Sequence, residues 1–182
     1  MVIALTGFMG CGKSCIGRIL GEMSGWRFID LDEWIEQHEG RTVRRIFSEN
    51  GEPAFRRIET EALESVLDEN GDGNLILSLG GGTLTSAEAE SLVSSRTFCI
   101  YLKADIGTLV HNLTLWPGDR PMLGDRPDSA TLRSRIEELM SLRGETYERA
   151  SHLTLEIDGM EYRAVADEIM DNVEKRKVAA ER

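Results

Sequence analysis

The chain has 182 residues, 41% of them apolar and 29% charged, with a formal charge of −11. That length suits one domain, 1–182, with a sizeable core, and the charge argues against a surface that tracks nucleic-acid phosphates. No stretch reaches transmembrane length or reads as a secretory leader, so a cytoplasmic protein with no membrane partner is expected.

Short apolar runs alternate with helical periodicity, the pattern of a parallel sheet covered on both faces. Strands are expected at 2–6, 27–30, 74–79, 97–102 and 153–157. Helices are expected at 13–23, 31–39, 43–49, 52–70, 86–95, 105–113, 129–149 and 160–177. Cys11, Cys15 and Cys99 have no metal-ligand spacing and read as reduced thiols.

The first strand runs into GFMGCGKS, residues 7–14, which meets the pattern G-x-x-x-x-G-K-[ST] through Gly7, Gly12, Lys13 and Ser14. Glycines let the backbone wrap with its N–H groups aimed at an anion, and the next helix presents its positive end to the same point. Lys13 reaches terminal phosphates, and the Ser14 hydroxyl suits Mg²⁺. By itself this loop means a nucleoside triphosphate, not a kinase.

The second strand ends in FIDLD, residues 28–32. Spacing of two on a strand sets Asp30 and Asp32 on one face, near the edge where open α/β sheets bind ligands. One carboxylate suits a hydrated metal, the other an attacking hydroxyl. A capping box, Asp30 with Glu33, is the structural alternative.

Arginines cluster, five in 41–57 and six in 120–149. In the helix at 52–70, Phe55, Ile58, Ala62, Leu63 and Val66 define the apolar face, which puts Arg57 toward solvent and Arg56 at an edge from which it can bend inward. LSLGGGT, residues 77–83, requires close approach of backbone or ligand. The lid loop is placed at 112–128, where LWPGDRPMLGDRPD (115–128) should form no regular element. In the last long helix, Arg143 lies within the stripe Leu132, Ile136, Leu139 and Met140. Its guanidinium needs an internal carboxylate or an acidic ligand, unless its stem snorkels to water.

The motifs ALTGFMGCGKS, FIDLD, GEPAFRRIE, LSLGGGT, RPML and LRGETYERA, in this order, resemble the shikimate kinase family over nearly the whole length. The resemblance implies a small P-loop kinase of α/β class, similar to nucleoside-monophosphate kinases. Its three-layer fold has a central five-stranded parallel sheet flanked by helices, with a mobile lid. It implies transfer of the ATP γ-phosphoryl group to the 3-hydroxyl of shikimate, with Mg²⁺, in chorismate and aromatic amino-acid biosynthesis.

Carried onto this chain, Gly7, Met9, Gly10, Cys11, Gly12, Lys13, Ser14 and Cys15 bind the nucleotide. Ser14 and Asp30 serve the metal. Asp32 binds the shikimate hydroxyls and is the candidate base, within a shikimate-binding segment at 31–70. Arg56, Arg143, Gly80, Gly81 and Gly82 line the acid pocket, and Arg120 in RPML contacts the nucleotide and the transferring phosphate. Lys13, Asp32 and Arg120 form the catalytic set.

The chain departs from the family in having GKSC for the usual GKST. It also lacks an arginine that often stacks on adenine before the lid, offering His111, Asn112 and Trp116 there. Arg126 reads as a lid-stabilising ion pair. A gluconate-type kinase and a nucleotide switch are the rival readings. Without an exposed apolar heptad, a monomer is expected.

Overall fold

A computed structural model describes residues 1–116, 121–123 and 128–180. Five strands form one parallel sheet: Val2–Thr6 (β1), Arg27–Asp30 (β2), Leu75–Ser78 (β3), Phe98–Lys103 (β4) and Leu153–Glu156 (β5). Their spatial order is β2-β3-β1-β4-β5, so the strand before the phosphate loop is central. β3 is buried throughout and β4 nearly so, which is why both read as unbroken apolar runs instead of alternating ones.

Helices Lys13–Ser24 (α1), Leu31–Glu39 (α2), Val43–Asn70 (α3), Ala87–Arg96 (α4), Ile106–Leu115 (α5), Ser129–Ala150 (α6) and Tyr162–Ala180 (α7) complete the three layers. The expected elements are all present, with boundaries shifted by up to three residues. α5 extends to Leu115, so the segment expected as lid from 112 begins as helix. A 3₁₀ turn at Pro121–Leu123 corrects the expectation of no regular element over 115–128. Its Leu123 is buried, and the Met122 carbonyl accepts from Arg135 Nε at 3.1 Å, so α6 anchors this turn.

Strand register positions the site. Leu5 of β1 and Asp30 of β2 both pair with Ser78 of β3, and Leu5 also pairs with Ile100 of β4. The phosphate loop, the acidic pair and the triple glycine therefore leave the sheet at one level of its carboxyl edge.

The two helices expected at 43–49 and 52–70 are the two arms of α3, which meet at a non-helical kink at Gly51, where φ is 79° and ψ 168°. Only glycine adopts that backbone cheaply. Pro53, just beyond, restarts the helix with its φ already set. The kink folds Phe47 against Phe55, with ring centroids 4.6 Å apart, and the Arg56 guanidinium lies over both rings.

A methyl group at Gly51 would meet no atom closer than Pro53 Cδ at 3.8 Å, so replacement there costs conformation and not space. Gly51→Ala should lose ~1–3 kcal/mol in urea unfolding. An unchanged midpoint would mean the kink is not strained.

Candidate active site at the carboxyl edge of the sheet

Between β1 and α1 the chain forms a loop whose Gly7, Gly10 and Gly12 have φ of 140°, 86° and 93°. Gly12 is needed twice over, since a side chain there would also strike the Tyr162 ring at 2.7 Å. Lys13 is 8% exposed and folds back over the loop, donating to the Gly7 carbonyl at 2.8 Å and the Phe8 carbonyl at 3.1 Å. These carbonyls hold the ammonium where a phosphate oxygen would take it over. Cys11 is buried, whereas Cys15 is exposed; all three cysteines are free thiols.

Asp30 uses both of its carboxylate oxygens. Oδ1 caps α2, accepting from the amides of Asp32 at 3.1 Å and Glu33 at 3.4 Å, and Oδ2 accepts from the Ser14 hydroxyl at 2.6 Å. The reciprocal half of a capping box is absent, because the Glu33 side chain pairs with Arg18. A hydroxyl and a carboxylate thus converge at the mouth of the phosphate loop. Mg²⁺ takes few protein oxygens and keeps water and phosphate as its other ligands, and this donor pair fits that habit.

Asp32 is the second residue of α2. Burial first, then the negative charges of Glu59 and Asp30, push its carboxyl up to about 7, against the lowering influence of Lys13 and Arg56.

Arg56 is drawn inward as its helical position suggested, while Arg57 is exposed. Arg56 Nη1 pairs with Glu59 at 2.6 Å, and the other Glu59 oxygen accepts from the Thr83 hydroxyl at 2.6 Å. Glu59 is 1% exposed. Breaking such a buried pair by removing one partner typically costs about 3–5 kcal/mol.

The triple glycine follows from this crowding. A Cβ at Gly80 would lie 2.6 Å from Glu59 Oε1, one at Gly81 would lie 3.1 Å from the Met9 amide, and one at Gly82 would lie 2.2 Å from Arg56 Nη2. None of the three has positive φ, so the requirement is for space.

Arg143 is 3% exposed and donates to the Gly81 carbonyl at 3.2 Å. The internal carboxylate that would satisfy it is missing among the described residues, where no ion pair involves it. The buried Tyr147 hydroxyl, one helical turn on, donates to the same carbonyl.

A cavity of about 560 Å³ is lined by Met9, Gly10, Gly12, Lys13, Ser14, Cys15, Asp30, Asp32 and Gly81, with Ser78, Leu79, Asn112, Trp116 and Tyr162; Arg56 and Arg143 stand behind this lining, Arg143 reaching it through the Gly81 carbonyl. That volume suits a small ligand. A second cavity, about 640 Å³, adjoins it through the shared Asn112 and Tyr162 and extends past His111. Asn112 Nδ2 donates to the Gly10 carbonyl at 2.9 Å and ties α5 to the phosphate loop.

A family model described as shikimate kinase matches residues 9–174. The chain belongs to the shikimate kinase family. It is 40% identical to a shikimate kinase of Chlorobium phaeobacteroides over 161 residues, covering 86% of this chain and 82% of the relative. A shikimate kinase of Thermus thermophilus is 37% identical over 172 residues, 94% of this chain and 89% of the relative. The solved shikimate kinase from Acinetobacter baumannii in complex with shikimate superposes with a TM-score of 0.88 at 29% identity, covering 97% and 94% of the two chains. The P-loop fold of the family is therefore the fold of this chain.

Of the residues expected for a shikimate kinase site, Met9, Gly10, Gly12, Lys13, Ser14, Cys15, Asp30, Asp32 and Gly81 line the first cavity, while Gly7, Cys11, Arg56, Gly80, Gly82 and Arg143 do not. Arg120 lies outside the described residues, as does Arg126. Glu59, Thr83, Tyr147 and Tyr162 join the site without having been expected from the sequence, and Asn112, offered where an arginine is lacking, lines both cavities. Two of them have a legible signal, Glu59 at three residues from Arg56 and Tyr147 at four from Arg143. Trp34 packs against the core and stacks on His38 with centroids 3.6 Å apart, so core packing accounts for it.

The raised Asp32 carboxyl has a consequence for stability. The unfolded chain loses this proton near pH 4, while the folded protein holds it until about 7, so the group costs nothing below pH 4 and progressively more up to 7. Asn mimics the protonated form. Asp32→Asn should melt with wild type at pH 4 and above it at pH 8, by ~2–4 °C for each kcal/mol gained. Equal calorimetric midpoints at both pH values would refute the raised carboxyl.

Proposed function

We propose that this protein transfers the γ-phosphoryl group of ATP to the 3-hydroxyl of shikimate, yielding shikimate 3-phosphate and ADP for chorismate and aromatic amino-acid biosynthesis. The observation that carries the acceptor is Arg143. A buried guanidinium beside the phosphate-loop cavity, without a carboxylate among the described residues, calls for an acid from outside. A neutral polyol or sugar would leave that charge unanswered.

The phosphates lie in the loop, with Lys13 exchanging its two carbonyl partners for phosphate oxygens. The backbone amides from Met9 to Cys15 and the amino end of α1 face the same anion. The base extends into the second cavity, past Asn112 and Tyr162, where no arginine is among the described lining residues. Ser14 and Asp30 would hold Mg²⁺, which when bound neutralises charge on the bridging phosphate oxygens.

Shikimate sits across the cavity, its carboxylate toward Arg56 and Arg143 and its ring against Gly80, Gly81 and Gly82. Asp32 accepts the hydrogen bond from the attacking hydroxyl and takes its proton as the new O–P bond forms and the bond to the ADP oxygen breaks. A carboxyl poised near 7 can do this at neutral pH. Arg120 would approach the transferring group from a lid that follows α5, which we take to be mobile and to close so as to exclude water.

The same reading makes 1–182 one kinase domain that acts as a cytoplasmic monomer without nucleic-acid or membrane partners. Free thiols at Cys11, Cys15 and Cys99 support a reducing compartment. Among the described residues no helix is long and apolar enough to cross a membrane.

A coupled assay of ADP release should show strong stimulation of Mg-ATP turnover by shikimate, but not by gluconate or a nucleoside monophosphate. Lack of stimulation would favour a nucleotide switch. Lys13→Ala should lower kcat at least about 10²-fold with the fold intact by circular dichroism. Arg143→Ala should raise the KM for shikimate about 10- to 100-fold, in line with a lost charged hydrogen bond, with little change in the KM for ATP. An equal effect on both would make Arg143 structural.

A further inference from the structure

Arg56 carries two carboxylates that are not equivalent. Glu59 holds Nη1 at 2.6 Å with a side chain 2% exposed, whereas Glu52 holds Nη2 at 3.1 Å with a side chain 43% exposed. Nε of the same guanidinium is buried and has no hydrogen-bond partner among the described residues. Glu59 cannot leave, because its second oxygen is taken by Thr83 and its charge would stay buried and unpaired. Glu52 can leave, since it borders solvent, its contact is the longer one, and water will accept its charge.

A carboxylate binds a guanidinium best through two adjacent N–H groups on one edge. With Nη1 committed, the edge left to a ligand is Nη2 with Nε. Half of that edge is occupied by Glu52 and the other half has no acceptor. Electrostatics agree with the geometry. Arg56 meets the charges of both Glu52 and Glu59, so an incoming acid approaches a centre whose positive charge is more than balanced.

We propose that Glu52 is an internal competitor for the acceptor's carboxylate. It occupies Nη2 until the substrate acid displaces it, and so sets how tightly and how selectively a carboxylated acceptor binds. This rests on the reading of Arg56 as a ligand of the shikimate carboxylate. In the absence of substrate Glu52 keeps the guanidinium aimed and denies the edge to inorganic anions. It thereby lowers affinity for every acid and leaves only one with additional contacts, to Asp32 and Arg143, able to displace it. Glu52 does not touch the reacting atoms and acts through Arg56.

The position is accessible to mutation because Glu52 lies just past the Gly51 kink and is not part of the core. Isothermal titration of wild type, Glu52→Gln and Glu52→Ala would use shikimate, its uncharged carboxamide and ADP as separate ligands. Removal of one partly exposed charge corresponds to about a 2- to 5-fold effect. Both variants should therefore bind shikimate about 2- to 5-fold tighter, with a matching fall in KM. Affinity for the carboxamide and for ADP should not move. Ordinary loss of structure would weaken binding, so the sign of the change separates the two explanations. Weaker or unchanged shikimate binding in both variants would overturn the proposal, as would equal tightening for shikimate and the carboxamide. A wild-type protein that binds ADP but not shikimate would overturn the acceptor reading, and this proposal with it.

Discussion

The buried carboxylate of Glu59 is where the acceptor side of this molecule is tied together. It reaches Arg56 on its own helix, Thr83 beyond β3, and by its charge Asp32 at the start of α2. A carboxylate so deprived of water is tolerated only because both of its oxygens are satisfied. The three segments must therefore meet in one arrangement, and the bare backbone at Gly80 and Gly82 is what lets them come so close. The same charge that anchors Arg56 adds to the burial that raises the Asp32 carboxyl.

The nucleotide side is organised differently. There the backbone predominates, with the glycine-rich turn, the amino end of α1 and the carbonyls that hold Lys13 in reserve. Side chains enter as links to the acceptor side. Ser14 bonds to Asp30, whose other oxygen caps the helix that carries Asp32. A single carboxylate thus couples the phosphate loop to α2, and Asn112 couples the loop to α5.

Much of the site is legible in the order of the amino acids. The phosphate loop, the acidic pair and the triple glycine are local patterns whose chemistry depends on neighbours in sequence. Direction on a helix is legible too, since about 100° of rotation separates Arg56 from Arg57. What local pattern does not reveal is any pairing that joins distant segments. Glu59 with Thr83 spans 24 residues and Asn112 with Gly10 spans 102. The partner of Arg143 differs from expectation for that reason: an internal carboxylate was one possibility, and a backbone carbonyl from the exit of β3 takes its place.

The alternation of strand and helix, the phosphate loop, and the residue types available for metal, hydroxyl and acid are all written locally along the chain. They follow from short-range periodicity and from backbone conformations that only certain residues permit. Long-range packing sets the order β2-β3-β1-β4-β5, and with it which loops share an edge. It also sets which carboxylate is buried, which arginine is met by carboxylates and which by a backbone carbonyl. Those depend on solvent exclusion by segments far apart in the chain, because a charge acquires its cost and its partner only when water is removed around it.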